Sequence, residues 1–109
     1  MSMAKKKRLK RPGKIENVLS KVRAAVQSGA YLDLTHAQFR SSERNITRPE
    51  YEEVLRNGRH EKSKDEYKEQ FQAWNYSIRG KTVDERELRV VVSFDSNGML
   101  IITVIDLEL

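Results

Sequence analysis

Apolar residues recur at helical spacing in the first half of the chain and alternate with polar ones in the last third. Ile15, Val18, Leu19, Val22 and Val26 fall on one side of a helix that follows the Pro12-Gly13 breaker and stops at Gly29. Glu16, Lys21, Arg23 and Gln27 occupy the opposite side, so only one stripe is buried and the helix needs a partner surface. Two capping-box patterns come next. Thr35 with Gln38 predicts a short second helix through about Arg44, with Ala37 and Phe39 as its core candidates, and Thr47 with Glu50 predicts a third. Pro49 then sits in the first turn of the third helix, Tyr51, Val54 and Leu55 form its apolar stripe, and Gly58 ends it.

Arg59 to Gln70 is almost entirely charged or polar and reads as a mobile loop or an exposed helical extension, with His60 solvated beside Glu61. Three strands close the chain. Trp74, Tyr76 and Ile78 alternate with Asn75, Ser77 and Arg79 up to Gly80. Leu88, Val90, Val92 and Phe94 face one way in the next strand, and Asp95-Ser96-Asn97-Gly98 is a short hairpin connection. Met99 to Ile105 is apolar on both faces, as expected of a strand held centrally in a sheet. The expectation is an α+β fold in which N-terminal helices pack on a small C-terminal antiparallel β-meander.

With 109 residues the chain has room for a single α+β domain over 15–109 and one modest core. The net charge of +5 is unevenly spread. Lys5, Lys6, Lys7, Arg8, Lys10, Arg11 and Lys14 carry seven charges with no acid among the first 14 residues, leaving 14 bases against 16 acids beyond them. Residues 1–14 therefore read as a disordered basic tail that adds salt-dependent affinity for phosphates. The lack of cysteine excludes disulfides, thiolate metal sites and cysteine nucleophiles. No apolar run approaches the roughly 18 residues of a membrane span. A cytoplasmic protein without cofactor or metal is expected, and the five glycines, falling at breaks between elements, form no phosphate loop.

The candidate chemistry lies between Thr35 and Thr47. On a helix each step of four residues turns about 400°, so His36, Arg40 and Arg44 project from nearly one side. One imidazole and two guanidiniums on a shared face suit an anion, above all a phosphodiester. Metal-free RNA cleavage needs a base for the 2′-hydroxyl, cations for the phosphate and an acid for the leaving oxygen. His36 suits either proton transfer, Arg40, Arg44 and Arg79 the phosphate, and Tyr67 or Tyr76 a second proton. Lys5, Lys6, Lys7, Arg8, Lys10 and Arg11 are the remaining candidates for nucleic-acid contact. The competing reading makes Arg79 and Arg89 cross-strand ion pairs and Trp74 and Tyr76 core rather than base-stacking residues.

Thr35-His36-Ala37, Arg40, Arg44, Ile46-Thr47, Val54-Leu55-Arg56-Asn57-Gly58, Tyr76-Ser77-Ile78-Arg79-Gly80, Leu88-Arg89-Val90-Val91-Val92 and Leu100-Ile101-Ile102-Thr103-Val104 occur in an order that resembles the bacterial domain of unknown function family 4258. The resemblance covers about 31–106, and it makes His36, Arg40 and Arg44 the characteristic residues. It implies kinship of fold with compact RelE-like and MqsR-like toxins, which are ribonucleases or translation-linked mRNA cutters held by antitoxins. The charged stretch from Arg59 to Gln70 departs from those toxins. The functional expectation is a toxin-like RNA-binding domain with metal-independent endoribonuclease activity, RNA and an antitoxin-like protein being its partners. The alternative is a noncatalytic protein-interaction module.

Overall fold

A computed structural model of the chain describes residues 11–35 and 46–108. The elements are α1 (Val18–Ser28), β1 (Tyr31–Asp33), α2 (Arg48–Asn57), β2 (Arg59–His60), a 3-10 turn (Lys62–Lys64), β3 (Glu66–Lys68), β4 (Ala73–Lys81), β5 (Glu87–Asp95) and β6 (Gly98–Asp106). The fold is α+β, but α2 follows β1, so the helices are not all N-terminal to the sheet. The predicted short helix from Thr35 to Arg44 falls, after Thr35, outside the described residues.

Val18, Val22 and Val26 form the buried stripe of α1, and Ile15 packs just ahead of it. Gly29 ends the helix at φ +76, its amide donating to the carbonyls of Ala25 and Val26. The start of α2 is capped as predicted, with the Glu50 carboxylate accepting the Thr47 backbone N–H at 2.7 Å. Tyr51, Val54 and Leu55 are its buried residues.

Strands run in the order β1-β6-β5-β4-β2, and β3 also pairs with β4. The predicted meander is present as β4-β5-β6, but it is the centre of a larger mixed sheet in which β1 lies parallel to β6. The stretch 59–70 is neither a loop nor a helical extension: it folds back twice on β4, pairing Arg59 with Arg79 and Tyr67 with Trp74. Its charged side chains blunt what remains an edge of the sheet.

Ile78, Val90 and Val104 form one row of the core, and Tyr76, Val92 and Ile101 the next. Strict alternation would put Ile101 and Val104 on opposite faces. The register shift between Val91 and Val92 leaves Ile102 as an extra residue in β6, which turns both toward the helices. Because Met99 to Ile105 is apolar at nearly every position, β6 tolerates this change of phase.

Gly80 lies inside β4, not at a break, and faces Gly58 at the end of α2. A Cβ on Gly58 would stand 2.6 Å from the carbonyl oxygens of Arg79 and Val54, and a Cβ on Gly80 would stand 2.9 Å from the Gly58 Cα. The helix end therefore seats directly on the strand backbone. Gly58→Ala is expected to destabilise the fold by about 3 kcal/mol through overpacking. Gly13→Ala, where a Cβ meets nothing within 4 Å, should change stability by less than about 0.5 kcal/mol. Urea unfolding of the two variants measures the contrast, and equal effects would contradict the close approach.

Candidate functional site

The polar edge of the sheet is organised by Asp65, whose side chain is fully buried. Its Oδ2 lies 2.8 Å from His60 Nε2 and 3.0 Å from Lys14 Nζ, and its Oδ1 accepts the Ser77 N–H at 3.0 Å. His60 is thus held in a hydrogen bond, with its ring edge-on to Tyr76 at 5.8 Å, and is not solvated as the polar run suggested. The ring also lines a cleft of about 400 Å³ together with Lys14, Ile15, Glu16, Asn17 and Lys62.

Residues 11–15 dock beside this cleft. Arg11 stands 5.0 Å from the Tyr67 ring centre and 6.0 Å from that of Trp74, and Lys14 Nζ is 4.9 Å above Trp74. Trp74 Nε1 donates to the Pro12 carbonyl at 2.8 Å, and the Ile15 N–H donates to the Tyr76 hydroxyl at 2.8 Å. Cation–π attraction and two hydrogen bonds therefore fix residues 11–15 across β3 and β4. Tyr76, a candidate proton donor, is buried with its hydroxyl accepting that amide. Tyr67 is only partly buried.

Arg79 does not present a free guanidinium. Cross-strand pairing sets Arg59, Arg79 and Arg89 in one row over β2, β4 and β5, an arrangement that repels itself. Glu61 answers it, accepting from Arg89 Nε at 2.8 Å and Arg79 Nη1 at 3.2 Å, while Glu87 accepts from Arg79 Nε at 2.6 Å. The hydrogen bond from Arg89, with that from Arg79, holds Glu61 below the usual carboxylate range against the opposing cost of burial.

His36, Arg40 and Arg44 lie outside the described residues, as do Lys5, Lys6, Lys7, Arg8 and Lys10. What is described is the approach to the His36 stretch. Thr35 is 1% exposed; its N–H donates to Asp33 Oδ1 at 2.8 Å, and its hydroxyl donates to the same oxygen. Tyr51 donates to Asp33 Oδ2, and burial with this bond pushes its hydroxyl pKa far up. Residue 35 is thereby pinned to α2.

Leu34, Phe71, Ala73, Phe94, Leu100 and Ile102 line a mainly apolar groove of about 570 Å³. Phe71 is 71% exposed. Among the described residues no group of three or more His, Asp or Glu is placed to hold a metal ion, and no helix is long and apolar enough to cross a membrane. The sequence reading missed the Lys14–His60–Asp65 cluster. Its members come from three segments with no spacing motif, so no local signal marks them.

The Glu61 pairs generate a pH prediction. A carboxylate whose pKa is lowered by folding stabilises the fold above its ordinary value of 4.5, and that contribution is lost as pH falls through the lowered value. Glu61→Gln is expected to lower the urea midpoint at about pH 7 and to narrow the gap between stability at about pH 7 and about pH 3. An unchanged gap would contradict the role assigned to Glu61.

A family model described as a domain of unknown function, DUF4258, matches residues 34–106. The match runs from the residue before Thr35 to the end of β6, leaving α1 and β1 outside it. No curated protein and no solved structure gives a significant match. With most of its length covered by that model, the chain belongs to the DUF4258 family.

Proposed function

We propose that this chain is an RNA-binding domain of the compact RelE-like or MqsR-like toxin kind, acting in the cytoplasm as a metal-independent endoribonuclease. The observation that carries the reading is the seating of the basic N-terminal segment on Trp74 and Tyr67, next to Lys62 and His60. Beyond Lys14 acids outnumber bases, so the excess positive charge of the chain lies at this end. The rings hold Arg11 and Lys14 in fixed places on the surface, where their charge can meet the phosphates of a strand. An α+β arrangement with helices over one face of a β4-β5-β6 meander is compatible with the kinship of fold.

In the reaction, His36 takes the proton of a ribose 2′-hydroxyl, and the oxygen attacks the adjacent phosphorus. Arg40 and Arg44 neutralise the phosphorane, the bond to the 5′-oxygen breaks as that oxygen takes a proton from water, and His36 returns its proton to solvent. The products are a 2′,3′-cyclic phosphate and a 5′-hydroxyl. Asp33 and Tyr51 act as positioning residues by fixing Thr35 beside the base.

A second reading, a noncatalytic protein-interaction module, draws on the apolar groove with its exposed Phe71 and on the ion pairs that already occupy Arg79 and Arg89. An antitoxin-like partner belongs to either reading.

Metal-free incubation of the full chain with mixed RNA separates them. Cleavage is expected, at least about 100-fold weaker in His36→Ala and Arg40→Ala variants of unchanged stability. Deleting residues 1–10 is expected to weaken binding and to reduce the salt dependence by roughly 0.7 in log–log slope for each phosphate that is no longer neutralised. Absence of cleavage and of RNA binding, both with and without ribosomes, would leave the interaction module.

A further inference from the structure

We propose that the cleft between the start of α1 and the β2–β3 turn is a phosphate-binding site that is switched on by protonation of His60. The charges that face the imidazole come from every element around it. Asp65 and Lys62 belong to the turn, Lys14 and Glu16 to the N-terminal segment, and Tyr76 of β4 is neutral. With His60 neutral, the two lysines balance the two carboxylates. The imidazolium then adds the excess positive charge, so an anion and a proton bind together.

The pieces are suited to that role. Asp65 is held by Lys14 and by the Ser77 amide as well as by His60. One ring nitrogen of His60 is engaged by Asp65, which fixes the ring and leaves the other nitrogen to exchange a proton. Lys14 has three ammonium protons and gives one to Asp65, and Lys62 forms no ion pair with a described residue. Asn17 provides no side-chain cap to α1, whose first residues Val18 and Leu19 line the same cleft. A phosphate seated there would meet two ammonium groups and an imidazolium against the single exposed carboxylate of Glu16.

The ligand chemistry is a phosphate group, either a diester in a single strand or free phosphate; only the first source rests on the RNA reading above. A diester does not titrate near neutrality, so an oligoribonucleotide without terminal phosphates isolates the His60 titration from that of the ligand. The experiment follows the His60 ring resonances of the full chain by NMR from about pH 5 to about pH 8. It uses that oligonucleotide and, separately, inorganic phosphate. His60→Gln assigns the signals, since the chain has two histidines.

The expected result is a ligand-induced shift of the His60 signals and a raised midpoint of its titration. Affinity should fall by about tenfold per pH unit above that midpoint, as one linked proton requires. Lys62→Ala should weaken binding several-fold, and this surface change gives a result even if His60→Gln fails to fold. RNA binding without change at His60 and without this pH dependence would overturn the inference while leaving the RNA reading standing. A response to inorganic phosphate without oligonucleotide binding would support the site and overturn RNA as its source. No response of His60 to either probe would overturn the inference.

Discussion

The buried carboxylate of Asp65 ties the N-terminal segment and the β2–β3 turn to the sheet. A charge with no solvent exposure is tolerated only where donors surround it. Here the donors come from three places in the chain: the Lys14 ammonium, the His60 ring and the Ser77 amide of β4. The β2–β3 turn is thereby locked against the sheet edge. The N-terminal segment is locked with it, bringing Arg11 and Lys14 onto the rings of Tyr67 and Trp74. Removing one member leaves the others with a desolvated partner, so the cluster behaves as a unit.

Strand β4 is where the remaining constraints meet. One face contributes Tyr76 and Ile78 to the core, and its backbone receives the end of α2 through the Gly58–Gly80 contact. Its other face carries Arg79 between Arg59 and Arg89, a row made tolerable by Glu61 and Glu87. Arg79 and Arg89 are engaged in holding strands together. The functional proposal therefore draws on other cations, among them Arg11, Lys14 and Lys62.

The sequence made the helices and the meander legible, and left the rest of the sheet hidden. Val18, Val22 and Val26, or Tyr51, Val54 and Leu55, repeat at a spacing that only a helix satisfies, and Thr47 with Glu50 marks a start. Tyr31 to Asp33 is too short to show alternation, and its parallel pairing with β6 is a tertiary event. The strands in 59–70 carry no apolar period because their pairing rests on backbone bonds and charge compensation, not on burial. Ile102 is one more apolar residue in an apolar run until its register is known. The face of His36, Arg40 and Arg44 was read from spacing alone and lies outside the described residues, whereas the His60 site exists only through folding.

The single tryptophan gives the most direct test of the clasp. Trp74 is bonded to Pro12 and covered by Lys14, which Asp65 holds in place. If Asp65 fastens the N-terminal segment, Asp65→Asn should shift Trp74 emission to the red and raise its quenching by acrylamide, while the far-ultraviolet circular dichroism of the folded domain stays the same. Unchanged emission and quenching in a folded Asp65→Asn variant would contradict the clasp, and with it the account of how the basic end is placed.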